Sequence, residues 1–100
     1  MTPTQTPTIS AVVVNYNAGT LLRSCIDSLL ACPLAVEVIV IDNASTDGSL
    51  DAVRAMPRVQ VVGNRRNRGF AAACNQGVAL AKADNLLFLN PDCTFAPGTL

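Results

Sequence analysis

Short runs of apolar residues that stop abruptly at polar ones recur along this chain. Ile9–Asn15 is β-branched and nearly all apolar, the pattern of a strand covered on both faces. Asn17-Ala18-Gly19 ends it. A helix is predicted over residues 20–31, where Leu22, Cys25 or Ile26, Leu29 and Leu30 recur at helical spacing. Arg23, Asp27 and Ser28 lie off that stripe, and Pro33 stops it. Val36–Asp42 predicts a second strand, interrupted in polarity only by Glu37. Residues 43–49 are small and polar with an Asp-Gly pair, which reads as a turn whose side chains cap the next helix. That helix is short, over 49–56, and Pro57 closes it. A third strand over 59–62 is flanked and interrupted by Arg58 and Gln60, which places it at a sheet edge.

Residues 63–69 form a loop rich in Asn and Arg. A third helix over 70–82 follows. Phe70, Cys74 and Val78 mark one face, and alanines at 71–73, 79, 81 and 83 favour helix and close packing on a sheet. Asn75, inside this helix, reads as bonding to a neighbouring loop. The fourth strand, from Leu86 to Leu89, runs straight into Asn90-Pro91-Asp92. Pro97 suits the first turn of a further helix.

Strand and helix alternate throughout, so the expected fold class is α/β, a Rossmann-like parallel sheet with helices on both faces. The expected strand order is 3-2-1-4. The winding direction changes between strands one and four, and ligands bind at such a switch point, outside the carboxyl ends of the strands. Asn15-Tyr16-Asn17 and Asn90-Pro91-Asp92 flank it, with Asp42 one strand along. Strand four has the composition of a central strand, yet no later strand follows. It is expected to leave one edge unpaired. Residues 9–100 thus read as the amino-terminal portion of a larger domain, with a sheet incomplete at its C-terminus.

Composition narrows the functional classes. Half of the 100 residues are hydrophobic and 14% are charged, enough to bury a core. Seven basic residues balance seven acidic ones, so no general field draws nucleic acid. Arg65, Arg66 and Arg68 are a local cluster, read either as a solvated loop or as diphosphate ligands. Cys25, Cys32, Cys74 and Cys93 include no Cys-x-x-Cys pair, and there is no histidine. A zinc site is not expected, and the thiols read as reduced, in a cytoplasmic protein. Residues 1–8 alternate Thr, Pro and Gln without the features of a secretory signal, and read as a disordered tail. No apolar run approaches the ~20 residues of a membrane span.

Three strand ends offering Asn, Tyr, Asp, Asn and Asp suit a nucleotide. Asp42 can accept from a base N–H or a ribose hydroxyl, and Tyr16 can stack on the base or pack beside it. Asp92 is a hard oxygen ligand for Mg²⁺ or Mn²⁺ bridging to a diphosphate. Each also has a plainer reading. Asp42 and Asp47 are good turn and cap residues, and Asn-Pro-Asp starts turns.

At Val12-Val13-Val14-Asn15-Tyr16-Asn17, Val40-Ile41-Asp42-Asn43-Ala44-Ser45-Thr46-Asp47-Gly48-Ser49, Asn67-Arg68-Gly69-Phe70 with Asn75, and Leu87-Phe88-Leu89-Asn90-Pro91-Asp92, the chain resembles the amino-terminal part of a family 2 glycosyltransferase of the GT-A fold. The resemblance spans nearly everything from Ile9 onward. It implies a donor nucleotide site at Asn15, Tyr16, Asn17, Asp42, Asn67, Gly69 and Asn90, and a divalent cation, Mg²⁺ or Mn²⁺, on Asp92. Asn90 stands where the family's Asp-x-Asp motif has its first acidic residue, a variant similar to rhamnosyltransferase-like members. The implied reaction is inverting transfer of a sugar from a UDP- or dTDP-sugar to a hydroxyl of a glycan or lipid-linked acceptor. It serves cell-surface polysaccharide synthesis in the cytoplasm, at most peripherally at the inner membrane face. The general base of such an enzyme falls beyond Leu100, so donor binding without turnover is expected of these residues alone. Two other readings remain: a non-catalytic nucleotide-binding or interaction module, and a dinucleotide-binding oxidoreductase. Against the latter, Asn15-Tyr16-Asn17-Ala18-Gly19 lacks the Gly-x-Gly-x-x-Gly turn.

Overall fold

A computed structural model describes residues 7–92. Seven elements follow in order: β1 (Ile9–Asn15), α1 (Thr20–Leu30), β2 (Val36–Asp42), α2 (Asp51–Arg54), β3 (Val59–Gly63), α3 (Phe70–Leu80) and β4 (Asn85–Leu89). The strands form one parallel sheet in the order β3-β2-β1-β4, as the sequence pattern predicts. β2 is buried along its whole length and β1 at every residue after Ile9. Their runs, apolar but for Ser10 and Glu37 before the terminal Asn15 and Asp42, are what two covered faces require.

Side chains alternate between the two faces. Ala11, Val13, Val36, Val38 and Val40 meet α1 and α2 through Leu22, Cys25, Ile26, Leu29, Leu50 and Val53. Val12, Val14, Ile39 and Ile41 face α3 through Ala73, with Cys74 and Leu80 packed alongside. α1 sinks three large apolar side chains, Leu22, Ile26 and Leu29, out of solvent completely. At roughly 1.5–3 kcal/mol each, that anchors all of its 11 residues. α2 buries only Val53 within its span. The helix is correspondingly four residues long, where the sequence pattern suggested 49–56. Nor does a side chain from the preceding turn cap it.

The third helix meets expectation in the close packing of its alanines at Ala73 and departs from it in the stripe of Phe70 and Val78. Phe70 and Val78 are 47% and 44% exposed, whereas Ala73 and Gly77 are buried. The bulky stripe is therefore not the seat of the helix. The small residues are, because they let its backbone lie directly on β1. A Cβ on Gly77 would collide with Val12 Cγ1 and stand 2.7 Å from Cγ2. Apolar periodicity marks the bulkier stripe, but here closeness of approach decided the face.

At the amino ends of the strands a buried polar cluster fixes the turn into β4. Ser10 Oγ donates to Glu37 Oε1 (2.7 Å), which also accepts from the Lys82 N–H (2.9 Å). Ser10 Oγ in turn accepts from the Ala83 N–H (3.1 Å). The polar interruption in β2 thus terminates α3 and starts the last strand. Thr8, expected in the tail, donates its N–H to the Ala35 carbonyl (2.8 Å) and is held. Pro7, also expected in the tail, is buried, whereas residues 1–6 of that tail, Cys93 and the predicted helix start at Pro97 lie outside the described residues.

Among the described residues β4 pairs with β1 on one side only. Leu87 and Leu89 join the core, while Leu86 and Phe88 are 38% and 41% exposed on the α3 side. No helix is long and apolar enough to cross a membrane among the described residues. Replacing Gly77 by Ala tests the seating of α3. The variant should lose about 1–3 kcal/mol of stability, the ordinary cost of overpacking, measured by urea denaturation. Ala73→Gly, which adds no atoms, should lose only about 1 kcal/mol through helix propensity.

Candidate functional site

The register sets Asn15 directly beside Asp42 at the last rung of the central strands. Alternation carries both to the α1 and α2 face, two residues on from Val13 and Val40. Tyr16 follows Val14 to the opposite face. The carboxyl rim therefore has two sides, and the sequence-predicted donor residues divide between them.

Asn15 and Asp42 are 0% and 3% exposed. The Asn15 Nδ2 donates to Asp42 Oδ1 (2.8 Å) and Ser49 Oγ (2.9 Å), and lies 3.1 Å from Ser45 Oγ. Ser45 Oγ donates to the same Asp42 oxygen (2.7 Å), and the Ser45 N–H donates to Asp42 Oδ2 (3.0 Å). A carboxylate has about four acceptor positions, and three on Asp42 are filled from within the protein. Asn15 Oδ1 is buried with no hydrogen-bond partner. The Asn15 carboxamide stands behind the rim, holding Asp42, and the Asn15 carbonyl accepts from the Asn43 N–H (2.8 Å). Asp42 borders a hollow of about 460 Å³ between the 44–51 segment and the end of β3, with Arg54 and Asn64 on its walls.

Asn17 is turned toward the same loop. Its N–H donates to Ser45 Oγ (2.9 Å), its Oδ1 accepts from the Thr46 N–H (2.8 Å), and its φ is 50°. Asp47 does not cap α2. It accepts from the Ser49 N–H (2.9 Å) and from the N–H of Gly19, the residue preceding α1 (2.9 Å). The Ser49 hydrogen bonds, with a smaller one from Gly19, hold its carboxyl below the ordinary carboxylate range.

Tyr16, Asn67, Gly69 and Asn90 come together at the switch point. With Val14, Asn43, Phe70 and Pro91 they line a hollow of about 280 Å³ between β1, β4 and the start of α3. Tyr16 is 55% exposed, its ring unburied by the core. Gly69 has φ 83°, and nothing lies within 4 Å of a Cβ built there. Backbone conformation, not space, requires glycine. Asn67 Oδ1 accepts the Gly69 N–H (2.8 Å) and shapes that bend. No side chain caps α3, so first-turn N–H groups open beside the hollow. Asp92 is exposed on the turn after Asn90 and Pro91. Arg65, Arg66 and Arg68 are exposed on the adjoining loop.

Sequence reasoning passed over Asn43, Asn64 and Gln76. Asn43 is 2% exposed and fastens the 64–69 loop to the rim: its Nδ2 donates to the Gly69 carbonyl (3.2 Å), and its Oδ1 accepts from Asn64 Nδ2 (3.0 Å) and the Arg68 N–H (3.3 Å). The bond to a neighbouring loop expected of Asn75 is made instead by Gln76, its neighbour on α3. One available signal was the pair Asp42-Asn43: two polar residues in succession at a strand end must face opposite ways, so one sits on each side of the rim.

Two substitutions separate these roles by pH. Asn15→Asp sets a carboxylate where an N–H now meets Asp42. Like charge raises the folded pKa of the pair, so this variant should be destabilised at neutral pH and recover as pH falls through about 7 to 4. Asp47 has the opposite sign. Its folded pKa is depressed, so its contribution is present above about pH 4 and lost as pH falls further. Asp47→Asn should melt below the parent protein at neutral pH, the gap closing toward pH 2. Thermal melts across pH check both.

Comparison with known proteins agrees with this architecture. The profile of Glycosyl transferase family 2 matches residues 10–100. Succinoglycan biosynthesis protein ExoU of Rhizobium meliloti (strain 1021) is 37% identical over 99 residues, covering 94% of this chain and 29% of that protein. Succinoglycan biosynthesis protein ExoO of the same organism is 35% identical over 97 residues, covering 94% and 28%. Among solved structures, mannosyltransferase PcManGT from Pyrobaculum calidifontis, in complex with GDP-Man and Mn²⁺, superposes with a TM-score of 0.81 at 28% identity, over 93% of this chain and 30% of its own. S. aureus TarS 1–349 in complex with UDP-GlcNAc gives 0.74 at 25% identity, over 85% and 26%. The chain spans under a third of the length of these relatives. Its sheet order, its alternating elements and a profile match that starts inside β1 and runs through β4 lead to one assignment: the chain belongs to glycosyl transferase family 2.

Proposed function

We propose that these residues form the donor-binding part of an inverting glycosyltransferase. It moves a sugar from a nucleoside diphosphate to a hydroxyl of a glycan or lipid-linked acceptor. The observation that carries this reading is the convergence of Tyr16, Asn67, Gly69 and Asn90 on one hollow at the switch point, with Asp92 on the turn beside it. Tyr16 supplies an exposed aromatic face to the nucleoside. The remaining acceptor position of Asp42 serves a base N–H or ribose hydroxyl on the neighbouring side of the rim. Asn15 and Asn17 act through the loop they hold, Asn15 by orienting Asp42. The uncapped start of α3 favours the negative charge of the diphosphate.

The described residues contain no group of three carboxylate, thiol or imidazole ligands. A complete protein cage is not what Mg²⁺ or Mn²⁺ needs in such a site, since one or two carboxylates together with substrate phosphates suffice. Asp92 fits that role, with Asn90 a neutral neighbour. A divalent ion there would offset charge on the leaving diphosphate. The structural relative holding GDP-Man and Mn²⁺ supports this use of a cation. Similarity to two succinoglycan biosynthesis proteins supports a place in polysaccharide synthesis. We place the protein in the cytoplasm, at most peripheral to the inner membrane face, and favour a deoxysugar donor on the rhamnosyltransferase-like Asn90-Pro91-Asp92. No general base is assigned among the described residues.

Calorimetric titration with UDP, dTDP, GDP and NAD, each with and without Mn²⁺, tests the reading. One nucleoside diphosphate should bind more tightly with Mn²⁺. Asp92→Ala should remove that gain, weakening binding about tenfold or more, which is about 1.4 kcal/mol. A preference for NAD, or indifference to Asp92→Ala, would sink it.

A further inference from the structure

Three carboxamides join the end of β2, the end of β3 and the second turn of α3. Asn64 and Gln76 are paired reciprocally: Asn64 Nδ2 donates to Gln76 Oε1 (2.8 Å) and Gln76 Nε2 donates to Asn64 Oδ1 (2.8 Å). The same Asn64 Nδ2 donates to Asn43 Oδ1 (3.0 Å). Asn43 then grips the loop, donating to the Gly69 carbonyl and accepting from the Arg68 N–H. The Asn64 N–H is anchored on the Asp42 carbonyl (2.8 Å). The relay has a fixed polarity. Because Asn43 must donate to a carbonyl, its oxygen must accept. Both Asn64 protons are then spent as donors, so Asn64 Oδ1 needs the Gln76 Nε2 proton. Reversing any one amide sets like against like at the next link.

We propose that Asn43, Asn64 and Gln76 are positioning residues for the donor nucleotide, and that Gln76 governs donor affinity without touching the donor. The inference rests on the donor-binding reading above. Gln76 does not border the 280 Å³ hollow, whereas Asn43, Asn67 and Gly69 do. The relay holds both ends of the 64–69 segment, Asn64 against β2 and Gln76, and Arg68 and Gly69 against Asn43. It thereby sets where Asn67 and Gly69 stand. All three members are neutral amides, so the geometry is insensitive to pH. The ionisable residues on the surrounding elements are Asp42 and Glu37 on β2, Arg58 beside β3, Arg65, Arg66 and Arg68 in the loop, Cys74 on α3 and Lys82 beyond it. None of them is a hydrogen-bond partner of Gln76.

Gln76→Glu makes the relay titratable. As a carboxylate, Glu accepts from Asn64 Nδ2 but confronts Asn64 Oδ1 with a second oxygen. As a carboxylic acid it donates to that oxygen and restores the link. Gln76→Met, similar in shape, breaks the link at every pH. UDP, dTDP and GDP binding with Mn²⁺ is measured by calorimetry for the parent protein and both variants near pH 8 and pH 4.5. Near pH 8 each variant should bind about fivefold more weakly than the parent, the worth of about one hydrogen bond. Near pH 4.5, where a glutamic acid side chain is substantially protonated, Gln76→Glu should return to within about twofold of the parent at that pH, and Gln76→Met should stay weak. A variant whose packing alone was damaged would not recover on acidification. If the parent binds and the folded variants match it at both pH values, the relay proposal falls and the donor-binding reading stands. If Gln76→Glu does not fold, parent-like binding by Gln76→Met overturns it equally. If the parent binds none of the three nucleoside diphosphates, both fall together.

Discussion

The hydrogen bond between Asn15 and Asp42 is the constraint from which the carboxyl rim is built. It joins the last residues of the two central strands, and the same Nδ2 reaches Ser49 across the loop that follows β2. Everything beyond depends on that loop being in place. Ser45 receives the Asn17 backbone, Asp47 receives Gly19 ahead of α1, and Asn43 reaches outward to Arg68 and Gly69. A buried amide with so many partners is costly to disturb, because each broken link leaves a desolvated group exposed to nothing. The rim is thus made less by its exposed residues than by the buried ones under them.

The two ends of the sheet are organised by different chemistry. At the amino ends Glu37 brings a carboxylate to Ser10 and to the Lys82 backbone. At the carboxyl ends the Asp42 carboxylate accepts from Asn15, and neutral amides carry the connection onward to α3. α3 is therefore tethered at both extremities, by Glu37 at Lys82 just past its end and by Asn43 at Gly69 just ahead of its start, with Gln76 held by Asn64 past its midpoint. Between these points Gly77 and Ala73 rest on β1. The helix beside the proposed donor hollow has little freedom to slide.

The central strands were fully legible, because a run such as Val36–Asp42 carries β-branched residues with one polar break and leaves no competing pattern. Strand order followed from alternation and from the polar character of β3. The misread face of α3 has a clear cause: hydrophobicity ranks Phe70 and Val78 above Ala73 and Gly77, but contact with a flat sheet rewards small size. The convergence of Tyr16, Asn67, Gly69 and Asn90 on one hollow was legible because each follows a strand or precedes a helix, where the carboxyl rim lies. Asn43, Asn64 and Gln76 were missed because side-chain amide bonds across 12 to 26 positions leave no periodic trace. Asn15 was legible as a residue of the rim, but not its burial against Asp42, which depends on a register that only pairing with β2 sets.

Gly77 also bears on how such a chain can change over generations. Its missing side chain is a space already filled by Val12, a residue 65 positions earlier on β1. Neither position is free to drift alone. Any enlargement at 77 is rejected while valine stands at 12, yet trimming residue 12 first opens a void beneath the helix. The passable route runs through a weakened intermediate, so the pair should be inherited as a unit even where the surrounding loop sequence diverges.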